Sequence, residues 1–263
     1  MIFKRAILLA ALSVFAVSTA SVADCLMGRY GPDQRSFSGE SIRLPVALNW
    51  EYTANKYENN PAAPVVAGNT CYFASGDRIY AIDLDTGALK WRYPADQPLG
   101  AQIRVTPALA DGMVYFGCGD GNIYCISGDT GTFQWAYQTR GSVRCPPIVL
   151  NGTLYFGDDD NSVYAIGAAS GDAKWPPFTA KDDFAIGIAI ASDMIVAPCM
   201  DGMLYGISMA GRKRWETRLP LAPVSTSPIV VESAVAMAVA DVEYGFAARG
   251  GQLRWTVRLP SEA

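Results

Sequence analysis

The 263-residue chain contains no histidine. That excludes Ser-His-Asp and Cys-His nucleophile systems, His-ligated zinc, and haem attachment through C-x-x-C-H. The six cysteines, at 25, 71, 118, 125, 145 and 199, include no C-x-x-C spacing, which disfavours a zinc ribbon. No two cysteines are adjacent, and the nearest pair is Cys118 and Cys125. Positive charge is in the minority, with 21 Lys and Arg against 25 Asp and Glu and a net charge of −4. Nucleic acid is therefore excluded as a partner, because phosphate binding needs a basic face. After the N-terminal stretch, no segment keeps a helical period over ten residues, which excludes helical solenoids. Carboxylate pairs could still carry acid–base chemistry, but no spacing nominates one.

The N-terminus reads as an export signal. Lys4 and Arg5 precede an apolar stretch over residues 6–17, too short to span a bilayer as a mature helix. Ser21-Val22-Ala23 places small residues at a cleavage site. The expected organisation is a signal peptide at 1–23, a leader segment at 24–49 and one domain at 50–263. Cleavage leaves the mature chain without a membrane span and more acidic, since residues 1–23 carry Lys4 and Arg5 and no acid. The expected location is periplasmic, at the cell envelope, or secreted. Cys25 is a candidate for a lipid anchor, although Asp24 stands where a small residue is usual. Disulfides can persist outside the cytoplasm. Several cysteines sit on strand patterns and read equally well as small buried hydrophobes, so no pairing is assigned.

The strongest positive feature is a repeat. Trp50, Trp91, Trp135, Trp175, Trp215 and Trp255 follow one another at intervals of 41, 44, 40, 40 and 40 residues. Before Trp91 runs Ala81-Ile-Asp-Leu-Asp-Thr-Gly87-Ala-Leu-Lys; Gly131 and Gly171 hold the place of Gly87 before Trp135 and Trp175. The fourth copy, from Gly206 through Gly211 to Trp215, is one residue shorter, and the fifth, through Gly250-Gly251 to Trp255, is degenerate. Each unit reads as four short strands, in the second unit over 106–110, 113–117, 122–126 and 132–137. Gly68-Asn69, Asp111-Gly112 and Asn151-Gly152 suit the tight hairpin between the first two strands. The third strand recurs as Ile79-Tyr-Ala-Ile, Ile123-Tyr-Cys-Ile, Val163-Tyr-Ala-Ile and Leu204-Tyr-Gly-Ile. It is apolar on both faces and must be covered on both. The residue after the tyrosine is always small, as expected if a tryptophan ring packs over it.

Four antiparallel strands per 40 residues, buried on both sides, describe the radially stacked blades of an all-β propeller. The WD40 pattern needs a Gly-His signature that a chain without histidine cannot supply, and kelch repeats run to about 50 residues. The pattern Ala-x-Asp-x-x-Thr-Gly-x-x-x-Trp, complete at residues 81–91, resembles the tryptophan-docking repeat of the pyrroloquinoline-quinone-like (PQQ-like) β-propeller superfamily over residues 50–255. The leader, from Met27-Gly-Arg-Tyr-Gly-Pro-Asp to Leu48-Asn-Trp50, is similar to that of secreted bacterial members. The superfamily holds quinone-dependent alcohol and sugar dehydrogenases as well as non-catalytic scaffolds such as the outer-membrane assembly propeller lipoprotein. Fold alone does not choose between them. The alcohol-dehydrogenase branch carries an adjacent Cys-Cys pair and the soluble sugar-dehydrogenase branch a His base, and this chain has neither. The resemblance therefore implies a non-catalytic scaffold binding protein or envelope components, with no catalytic residue, no metal ligand and no cofactor expected. The alternative is a PQQ- and calcium-dependent dehydrogenase, or a fragment of one.

Two places are candidate sites. Arg104 and Arg144 hold the same repeat position, three residues before Pro107 and Pro147. Near a channel mouth on adjacent blades they could clamp a carboxylate of a partner, or be two solvated arginines on connecting loops. Asp158-Asp159-Asp160-Asn161 offers clustered oxygens that suit calcium, although its spacing is no EF-hand and turns are rich in Asp. Asn151-Gly-Thr153 matches a glycosylation acceptor and equally a hairpin turn.

The ring itself is expected to be incomplete, with five complete blades and Trp50 on a lone N-terminal strand. Only eight residues follow Trp255, too few for the three strands that would complete a blade around Trp50. Truncation is the first explanation; capping by residues 25–49 and closure by a partner chain are the others.

Overall fold

The computed structural model describes residues 48–54, 62–184, 186–191, 193–219, 226–231, 233–239 and 241–258. The expected signal peptide, Cys25 and most of the leader lie outside them. All regular structure among the described residues is β. Twenty strands form five four-stranded antiparallel sheets, each ordered as the chain runs, here called blades I to V at 65–93, 108–138, 148–179, 189–218 and 229–258. First strands of neighbouring blades approach one another at the hub, as in blades I and II and in blades IV and V. The architecture is an incomplete β-propeller. No helix of the described residues is long and apolar enough to cross a membrane.

Blade II shows how sequence sets the strands. They run Ala108–Ala110, Met113–Gly117, Asn122–Ser127 and Phe133–Gln138. The first begins two residues later than expected, because Pro107 has no N–H to join the ladder. Asp111 and Gly112 turn the first hairpin with φ of 50° and 74°, and Asn151 and Gly152 repeat this at 49° and 68°. Two successive positive φ angles match the right-handed twist of the strands they join. Third strands are buried on both faces; in blade III every residue of Ser162–Gly167 is buried.

Four of the six tryptophans lie opposite the small residue after the third-strand tyrosine: Trp91 opposite Ala81, Trp135 opposite Cys125, Trp215 opposite Gly206 and Trp255 opposite Gly245. The pairing register shifts immediately after each of these small residues. A Cβ on Gly206 would overlap the Trp215 indole, so the ring lies flat on its own blade. Its other side meets the next blade. A Cβ on Gly87 would come within 2.7 Å of the Trp50 ring, on Gly131 within 2.7 Å of Trp91, on Gly171 within 2.9 Å of Trp135 and on Gly211 within 2.6 Å of Trp175. Gly251 would likewise meet Trp215. These turn glycines have φ near 70°, so both backbone angle and ring proximity demand glycine. The indole N–H then donates to a carbonyl of the same turn: Trp50 to Leu84 at 2.6 Å, Trp91 to Gly128 at 2.8 Å, Trp135 to Ala168 at 3.1 Å, Trp175 to Met209 at 3.2 Å and Trp215 to Ala248 at 3.1 Å.

Two places depart from the regular pattern. Residues 48–54 join no sheet, so the lone N-terminal segment carries Trp50 without a ladder partner. Side chains hold this segment instead: the Trp50 bond, Asn49 Nδ2 donating to Asp85 O at 3.2 Å, and the Tyr52 ring against Phe73 and Tyr80. In blade III the fourth strand shrinks to Phe178–Thr179, leaving Trp175 outside it. Pro176 and Pro177 remove two successive donors there. Trp175 keeps its place on blade IV regardless, so docking does not depend on an intact outer strand.

Candidate functional site

The segments entering blades II, III and IV are each stitched between two neighbouring loops that join the second and third strands of their blades. In the entry to blade II, Ile103 N–H donates back to Gly76 O in blade I, and Gln102 O accepts from Gly119 N in blade II. The entry to blade III repeats this: Val143 donates to Cys118 O, and Ser142 O accepts from Asp159 N. For blade IV the donor is Phe184, to Asp158 O, and the acceptor Asp183 O, from Met200 N. Arg104 and Arg144 are the residues immediately after these stitches, so equivalent backbone anchors present both on one face.

The two arginines line one crevice of about 280 Å³ with Gln102, Gly119, Ser142 and Val143. Their surroundings differ. Arg104 donates through Nε and Nη2 to the Gln102 amide oxygen, at 2.9 and 2.7 Å, and has no ion-pair partner among the described residues. Arg144 Nε meets Asp159 Oδ2 at 3.0 Å, with the arginine side chain 51% exposed and the aspartate 17%. The second Asp159 oxygen, Oδ1, is buried without a hydrogen-bond partner. Burial raises this carboxyl's pKa above the usual carboxylate value; Arg144 opposes the rise, and Asp183 and Asp158 add to it. Asp183 is raised too, by burial first and then by Asp182 and Asp158.

The Asp158–Asn161 loop is organised by hydrogen bonds. Asp158 is fully buried. Its Oδ1 accepts from the N–H groups of Asp160 and Ser162 at 3.1 and 3.0 Å, and its Oδ2 accepts from the Tyr164 hydroxyl at 2.7 Å and the Gly141 N–H at 3.4 Å. Asn161 turns the chain at φ 66°. The acid–tyrosine bond recurs in blade II, from Tyr124 to Asp120 at 2.6 Å, and in blade IV, from Tyr205 to Asp201 at 2.7 Å. Burial, reinforced by the carboxylate, raises the pKa of all three tyrosines. Cys118 and Cys199 occupy the place of Asp158 in their blades, and their thiols donate to Ala101 O at 3.3 Å and Asp182 O at 3.1 Å. Burial pushes both thiols up to about 12, which keeps them protonated and unreactive. Among the described residues, no three Cys, Asp or Glu side chains converge to hold an ion.

Sequence reasoning singled out the two arginines, and the structure brings them to one crevice. It missed Asp159 as the partner of Arg144, a contact between the segment entering blade III and that blade's own loop. It also missed the acid–tyrosine bonds. Their signal was present, since Asp120 and Asp201 each stand four residues before the third-strand tyrosine.

A family model described as outer membrane protein assembly factor BamB matches residues 47–135 and 75–263. A curated relative, serine/threonine-protein kinase AfsK of Streptomyces griseus, is 32% identical over 94 residues, which is 34% of this chain and 11% of that protein. The structure of BamB from Moraxella catarrhalis is 20% identical and superposes with a TM-score of 0.59 over 72% of this chain and 58% of that one. Quinohemoprotein alcohol dehydrogenase from Comamonas testosteroni is 15% identical, with a TM-score of 0.75 over 92% and 50%. A europium-containing methanol dehydrogenase, also 15% identical, gives 0.73 over 89% and 58%. The chain thus spans between 50% and 58% of these structures and about a tenth of the kinase. At these structural identities the likeness shows the fold alone.

Proposed function

Because the chain belongs to the PQQ-like β-propeller family whose model is described as outer membrane protein assembly factor BamB, we propose that it is a non-catalytic scaffold of the cell envelope that holds a protein or envelope component on one propeller face. The family match carries this reading. The export signal read at residues 1–23 supports an extracytoplasmic place. The stitched loop face supports a binding role, since its side chains stand on anchored backbone and need little ordering on contact. Pull-down from envelope extract, with an Arg104/Arg144 double substitution as control, tests the reading. A partner retained by the parent protein and lost by the variant is expected. No partner with either protein contradicts it.

A second reading is a quinone- and calcium-dependent dehydrogenase or a fragment of one, favoured by the closer superposition on the dehydrogenase structures. The residues do not fit that site. The adjacent cysteine pair is missing, and the described acids form no three-ligand group. Dye reduction with alcohols and sugars after adding the quinone and calcium separates the two; robust turnover would favour the dehydrogenase.

A further inference from the structure

We infer that the crevice between blades II and III is a carboxylate-binding subsite, filled by an Asp or Glu side chain of an acidic partner segment; this rests on the scaffold reading and names the partner chemistry.

Position is the first ground. Four residues before the first strands of the five blades stand Pro61, Arg104, Arg144, Ala185 and Ser225. At this repeat position only Arg104 and Arg144 are cations, and they stand on adjacent blades. Donor inventory is the second. A guanidinium has five N–H groups. Arg104 engages two of them with a neutral amide oxygen, and Arg144 forms an ion pair with Asp159. The rest have no partner among the described residues. Gln102 orients the Arg104 fork without neutralising it, an arrangement suited to receiving a carboxylate by two parallel N–H bonds.

Size is the third ground. About 280 Å³ falls just below the range of roughly 300–1,000 Å³ usual for cofactor and small-molecule pockets, and suits one inserted side chain. Two cations in a chain of net charge −4 do not make a nucleic-acid track. Asp159 shares Arg144 with any incoming anion, so Arg104 carries the larger part of the attraction and Arg144 the second contact.

The test is calorimetric titration with acetyl-tetraglutamate amide, its tetraglutamine counterpart and inorganic phosphate at one ionic strength. The glutamate peptide should bind and the glutamine peptide should not. Arg104→Gln should weaken binding about tenfold or more, the scale of one lost charge-assisted bond. Arg104→Lys should restore it only in part, because an ammonium lacks the planar fork. Arg104→Gln/Arg144→Gln should abolish it. Near-UV circular dichroism reports whether each variant keeps its packing; Arg104→Gln unpairs no charge, whereas Arg144→Gln leaves Asp159 without its cation, so the single Arg104 variant carries the test if the double variant loses its packing. Equal binding of the two peptides, phosphate binding as tight as the peptide, or indifference to both arginines overturns the inference. Failure of the scaffold reading is distinguishable: it leaves the glutamate peptide bound while the extract yields no partner. A partner captured equally by parent and double variant removes the subsite and leaves the scaffold.

Discussion

Trp215 and Trp255 begin alike and end differently. Both lie flat on a third-strand glycine of their own blade, Gly206 and Gly245, beside the same register shift. Trp215 is then covered by the Gly251 turn and donates to Ala248 O. Trp255 meets no such turn among the described residues and is 36% exposed. The neighbouring row repeats the contrast. In blades I to IV its middle residue is Ile79, Ile123, Val163 or Leu204, all fully buried. In blade V it is Glu243, flanked by Ala238 and by Val257, itself 51% exposed. Half of each seam is therefore encoded within a blade. Burial and the indole hydrogen bond come from the neighbour, and where no neighbour is described the sequence tolerates a charge.

The largest expected effect sets Ile123→Glu against Glu243→Ile. The first buries a charge without a partner and should cost more than about 4 kcal/mol. The second should change stability by less than about 0.5 kcal/mol. Urea midpoints at constant slope measure both. Next, Trp215→Ala should cost about 3–5 kcal/mol and Trp255→Ala about 1 kcal/mol, because only the first empties a filled seam. Equal costs would break the comparison.

Glycine sharpens it. Gly131 and Gly112 both have positive φ, 68° and 74°, but only Gly131 faces a ring, that of Trp91; nothing lies within 4 Å of a Cβ at Gly112. Gly112→Ala should cost about 1 kcal/mol for its backbone angle alone. Gly131→Ala adds overpacking and should reach about 3 kcal/mol.

The smallest effect concerns Asp159. Its folded-state pKa stands above the ordinary 3.8, so the folded state binds this proton more tightly than the unfolded one. Its stabilising contribution then appears as pH falls through the raised value and is absent at neutral pH. Asp159→Asn should flatten the pH dependence of the urea midpoint over that interval.

The period, the hairpin turns and the small residue under each indole were legible in sequence because each depends on residues close together in the chain. The place of residues 48–54 was not: a tryptophan at the right interval says where a ring docks and nothing about whether its backbone has a strand to pair with. Pro176-Pro177 was a readable break that the regular spacing of Trp175 concealed. At the crevice, the equivalence of Arg104 and Arg144 followed from the repeat. Their unlike partners, Gln102 and Asp159, did not, since side chains between loops obey no period.

Hydrogen exchange of the six indole N–H groups, followed by NMR under native conditions, tests the seam account most directly. Trp50, Trp91, Trp135, Trp175 and Trp215 should exchange slowly and Trp255 at close to the rate of an open indole. Protection of Trp255 equal to the other five, or free exchange at several of those five, would contradict it.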